Sequence, residues 1–187
     1  MLCVRRVKTT MKLWTIQHKK AYEEMLRTGV LRANSAHIFD EFFRESYEWM
    51  AEQMKKRVGA PPDGVELPVW AWYQWEGMRK RPDMRHHGRA SDKRVPIVLL
   101  TIDVPDDQVL LSDFDYWHVV LNDGEIIFPY DENANYSKEK RHKSWDNIFD
   151  YECKWSNEER VVGLSTQATM WEIKEEWVLK VEHFKTW

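Results

Sequence analysis

Glycine is scarce in this sequence. There are seven in 187 residues, each isolated from the others. No glycine-rich loop that would cradle a phosphate at a helix N-terminus is present, and no Gly-x-Ser-x-Gly elbow that would expose a nucleophilic serine. Cysteine is scarcer still: Cys3 and Cys153 allow one bridge at most, which excludes a disulfide scaffold and favours a reducing compartment, the cytoplasm. No apolar run approaches the length needed to span a bilayer, so no membrane partner is expected. A large excess of one charge is also missing. The formal net charge of −3 argues against a protein that coats nucleic acid nonspecifically. Metal-ligand spacing is absent too. His86 and His87 are adjacent and point apart on regular structure, and Asp115 with His118 supplies only two ligands on one helical face, so no metal is expected.

What the chain has is tryptophan: eleven in all. Four aromatics fall within Val69-Trp70-Ala71-Trp72-Tyr73-Gln74-Trp75, and a basic run follows at once, from Arg79, Lys80 and Arg81 to Arg94. As a strand, this segment places Trp70, Trp72 and Gln74 on one face and Val69, Ala71, Tyr73 and Trp75 on the other. One face feeds a core. The second either packs against another layer or offers two indoles and an amide to a flat, polar-edged ligand such as a nucleotide base. In that second case, Arg79 and Arg81 are the candidates for a phosphate, because the planar guanidinium matches phosphate oxygens.

The rest of the pattern predicts one α+β domain, with a mixed or antiparallel sheet covered by packed helices. Leu13–Gln17 reads as a strand, Lys19–Thr28 as a helix capped by Gly29, and residues 37–57 as a long helix with Ile38, Phe39, Phe42, Phe43, Tyr47, Trp49, Met50 and Met54 on its apolar side. Ile97–Val104 reads as a doubly covered strand. Ser112 is expected to cap a helix over 113–121 that ends at Asn122-Asp123-Gly124, and Ser144 to start a short helix over 145–149. Val161–Leu164, Thr169–Ile173 and Trp177–Phe184 read as strands. Residues 1–10 lack periodic apolar content. They are expected to be a disordered extension or to lie upstream of a start at Met11, leaving 11–187 as the domain.

Polar residues on otherwise apolar strands mark a candidate site: Thr15, Gln17, Gln74, Gln167 and Glu172. Buried amides need partners, so these are either hydrogen-bonding core residues or ligand groups around one cleft.

Leu13-Trp14-Thr15-Ile16-Gln17, Gly29-Val30-Leu31, Pro68–Trp75, Val104–Asp113, Gln167–Ile173 and Trp177-Val178 together resemble an uncharacterised bacterial family, domain of unknown function 3841, over nearly all of 12–187. The first strand, helix and Gly-x-Leu turn also resemble the opening of the ADP-ribosyltransferase-like fold. That resemblance implies NAD as cofactor and a transferase acting on nucleic acid or protein, with Gln167 and Glu172 as catalytic candidates and Thr15, Gln17, Trp70, Trp72, Gln74, Arg79 and Arg81 as nucleotide-binding ones. The pattern departs at two places. Thr15 stands near the position of a first-strand His, and Gln167-Ala168-Thr169 stands in place of Gln-Ala-Glu. The alternatives left open by the residues are a noncatalytic nucleotide- or nucleic-acid-binding module, which would use the same aromatics and basic run, and a protein-interaction domain.

Overall fold

A computed structural model describes residues 9–33, 41–84, 95–127, 135–150 and 164–185. Six strands form the main sheet: β1 (Thr10–His18), β3 (Val69–Gln74), β4 (Pro96–Pro105), β5 (Leu110–Asp113), β6 (Thr166–Met170) and β8 (Val178–Lys185). Their order is β5-β6-β3-β1-β4-β8, and every pairing is antiparallel. A two-stranded sheet pairs β2 (Val30–Arg32) with β7 (Glu172–Lys174). The described helices are α1 (Lys19–Thr28), α2 (Arg44–Arg57), α3 (Phe114–Leu121) and α4 (Lys138–Ser144). The α+β class holds, with the sheet antiparallel throughout.

Each face of the main sheet is built by strand alternation. On one face Leu13, Val69, Ala71, Val98, Leu100, Ile102, Val104, Ala168 and Met170 pack together with Met25 of α1, Leu31 of β2 and Ile173 of β7. On the other face Trp70 meets Tyr47 of α2 and Trp117 of α3, and the hydroxyl of buried Thr169 lies 3.3 Å from the Met54 sulfur of α2. The sheet is therefore the middle layer, with α1 and the small sheet on one side and α2 and α3 on the other. Val98, Leu99 and Leu100 are fully buried, as expected of a strand covered on both faces.

Local chemistry sets the boundaries. Gly29 ends α1 at φ 80°, and its N–H donates to the Met25 carbonyl. Helix α2 buries Ser46, Met50 and Met54, one turn apart, while Phe42 ahead of it is exposed. Ile38 and Phe39 lie outside the described residues. The Ser46 hydroxyl donates to the Val120 carbonyl at 2.9 Å and ties α2 to the end of α3.

Several expectations shift. The cap of α3 is Asp113, whose carboxylate accepts the Tyr116 N–H at 2.8 Å; Ser112 is instead a strand residue of β5. The predicted strand 169–173 is two strands broken at Trp171, whose indole N–H donates to the Gly59 carbonyl at 2.8 Å. That break carries the chain from the main sheet to the small one. Helix α4, capped by Ser137, precedes the short 3-10 turn over Trp145–Phe149. Strand β1 starts at Thr10, and the Thr9 carbonyl accepts the Asp106 N–H, so Thr9 and Thr10 belong to the folded domain. Residues 1–8 and all but the last residue of the expected strand Val161–Leu164 lie outside the described residues; Leu164 itself is not in a strand, and β6 begins at Thr166.

Candidate functional site

Register decides which candidate residues meet. Trp14 pairs with Trp72, Trp72 with Gln167, and Gln167 with Ser112, so these four share the face that carries α2 and α3. Thr15 and Gln17 are one residue out of step with Trp14 and Trp72, and they point to the opposite face. The single cleft expected to join Gln17, Trp72 and Gln167 does not exist in this arrangement. Gln74 leaves the face of Trp72 as well. A bulge between Trp72 and Gln74 pairs Gln74 with Thr166, which alternates with Gln167.

Most of the polar candidates find partners within the fold. The buried Thr15 hydroxyl donates to the Trp70 carbonyl at 2.7 Å and accepts from the Gln17 amide at 2.7 Å. Gln167 is 4% exposed, and its amide donates to the hydroxyl of fully buried Ser112 at 3.1 Å. Glu172 lies on the small sheet opposite Arg32, which donates to its carboxylate through two nitrogens at 3.0 and 2.9 Å. Thr169, at the position where the transferase pattern carries Glu, is fully buried. Arg79 donates to the Lys12 carbonyl at 2.8 Å, and its guanidinium sits 3.6 Å from the Tyr73 ring centre and 5.5 Å from that of Trp14. Burial lowers the Arg79 guanidinium pKa, against the pull of Tyr73. Arg81 pairs with Glu182 of β8 at 3.5 Å. Both arginines thus help tie the segment after β3 to the sheet.

The aromatic residues assemble differently. Trp70 is enclosed, with ring centres 6.0 Å from Tyr47 and 4.7 Å from Trp117. Its buried indole N–H has no hydrogen-bond partner among the described residues. Burial also pushes the Tyr47 phenol up, so it stays neutral. Trp72 begins a second chain of rings that reaches the surface. It meets Trp75 and Phe114 edge-on, each at 4.6 Å, and Phe114 meets His118 at 4.6 Å. Trp72, Trp75 and Phe114 are half-buried, and His118 is exposed.

Phe114 and His118 were absent from the sequence-derived site. Their spacing of four in a helix carried the signal, because such residues lie one above the other on one face. The arrangement offers outward aromatic surface held by a strand and a capped helix. The Asp113 cap fixes the first turn of α3, and with it Phe114. No group of three metal-ligating side chains occurs among the described residues, and His86 and His87 lie outside them. No described helix is long and apolar enough to cross a membrane.

The profile of a family described as a domain of unknown function, DUF3841, matches residues 12–142. The chain belongs to this family. The match takes in most of β1, the Trp-rich β3 with Trp75 directly after it, the β4–β5 connection and α3, and so includes Trp72, Trp75, Phe114 and His118. It stops short of the Gln167–Ile173 segment, so the resemblance is established over a shorter span than the sequence motifs suggested. No curated protein and no solved structure matches the chain, and neither comparison lends support to an ADP-ribosyltransferase-like assignment.

Proposed function

We propose that this DUF3841 domain is a binding module that recognises the base of a nucleotide, or the unstacked bases of a nucleic acid, on the strip formed by Trp72, Trp75, Phe114 and His118. The observation that carries this reading is the run of edge-to-face contacts from half-buried Trp72 to exposed His118. Rings held by their neighbours lose little freedom when a base stacks on them. NAD remains a candidate ligand because it presents an adenine ring. The cytoplasm, where nucleotides are abundant, is the location this reading carries.

Binding is better supported than ADP-ribosyl transfer. Transfer needs an electrostatic group at the developing oxocarbenium centre. Glu172 is bound to Arg32 on the small sheet, and Thr169 carries no carboxylate.

Calorimetric titration with NAD, ADP-ribose and short single-stranded oligonucleotides tests the proposal. His118→Ala removes an exposed ring and should leave the melting temperature nearly unchanged. Base stacking contributes roughly 1–3 kcal/mol, so affinity should fall by roughly 5- to 150-fold. If none of these ligands binds below about millimolar concentration, a dissociation constant worth only about 4 kcal/mol, the proposal is wrong and the aromatic strip is packing alone.

A further inference from the structure

Strand β8 closes one end of the main sheet, and among the described residues no strand pairs with its outer edge. Such an edge presents unpaired N–H and C=O groups to any strand that can align with it. Edge strands are commonly protected by charges that repel a second copy of themselves. The charges on β8 have both signs. Lys180 and Glu182 project from the same side of the strand, 3.3 Å apart.

Antiparallel pairing of a strand with its own copy follows a simple rule. Residues equally distant from the two-fold axis on opposite sides face each other. With the axis at Val181, Lys180 of each chain lies opposite Glu182 of the other, and Val181 lies opposite its own copy. Moving the axis to Lys180 or to Glu182 would place like charges directly opposite, which destabilises a strand pair.

We propose that β8 pairs antiparallel with β8 of a second copy of this chain, centred on Val181, so that the main sheet runs continuously through a dimer. The ladder between β4 and β8 is regular from Lys180 to Lys185, so the strand is straight where the charge pairs form. The register shift on the other side of Lys180 lifts Leu179 out of the ladder. Leu179 is left 59% exposed beside that edge. Helix α1 lies mainly over β1 and β4 and meets β8 through Tyr22, whose ring stands edge-on to that of His183 at 6.1 Å, a contact on the face of the strand.

The test is sedimentation of the full chain over a dilution series from about 1 to about 500 µM, the range suited to a small, weak interface. The mass should rise from 22.6 kDa towards twice that value. Lys180→Glu and Glu182→Lys, each alone, should give a monomer throughout, with unchanged circular dichroism. The double variant Lys180→Glu/Glu182→Lys should dimerise again, because each pair is reversed across the axis. Glu182→Lys also removes the contact with Arg81, whereas Lys180→Glu does not. Loss in both singles with recovery in the double therefore isolates the contact between copies. A wild-type chain that stays monomeric overturns the proposal. So do folded single variants that dimerise as well as wild type, or a folded double variant that stays monomeric.

Discussion

Gln167→Ala separates the two roles open to a polar residue on a buried strand. Gln167 is 4% exposed, and its amide is 3.1 Å from the Ser112 hydroxyl, itself fully buried. Truncation leaves Ser112 without this partner, a penalty of about 1–3 kcal/mol. The vacated space adds about 1–2 kcal/mol. That is less than a leucine truncation costs, because removing the amide also removes its own desolvation penalty. The expected loss is about 2–5 kcal/mol, or about 4–20 °C in melting temperature for a chain of this size. Urea unfolding followed by tryptophan fluorescence and by far-ultraviolet circular dichroism measures it, and coincident transitions would justify a two-state analysis. Gln17→Ala is the internal comparison. Gln17 is half-buried and donates to Thr15, so its loss should cost no more than about 1 kcal/mol. If Gln167→Ala melts with wild type while nucleotide affinity falls, Gln167 is a ligand group and the core assignment is refuted.

Two further variants probe the fold. Burial pushes the Asp123 carboxyl up, but hydrogen bonds from Arg141 at 2.9 Å and from His142 at 3.2 Å outweigh it and hold the carboxyl below its ordinary range. Because the folded value is the lower one, the contribution of Asp123 is complete above the unfolded carboxylate value of about 4. It is lost as pH falls through the folded value. Asp123→Asn should therefore be less stable than wild type at neutral pH and converge with it in acid. Asn tolerates the φ of 50° found there, so the backbone adds no strain. Parallel denaturation curves with a constant gap at all pH values would contradict this. Gly29→Ala meets nothing within 4 Å of the added carbon. Its cost should be purely conformational, about 1 kcal/mol, and an unchanged denaturation midpoint would show that the φ of 80° is not required.

The sequence by itself determined what depends on near neighbours. The helix at Lys19–Thr28 and its Gly29 stop, the Trp-rich strand and the continuous apolar strand after Pro96 were all legible, because periodicity and capping act within a few residues. The α+β class followed from those elements. The DUF3841 resemblance was also legible, from motifs spread along the chain. The tertiary structure decided which residues face one another. Pairing Trp14 with Trp72 sets Thr15 and Gln17 on the side away from Gln167, and one bulge removes Gln74 from the face of Trp72. Side-chain period in a strand is two, so a single-residue shift reverses every assignment beyond it, and no local pattern fixes the register between distant strands. The arginines after β3 read as free phosphate ligands until the fold brought Lys12, Tyr73 and Glu182 beside them. Phe114 and His118 joined the tryptophans for the same reason: the contact spans strand and helix, and only packing brings the two together.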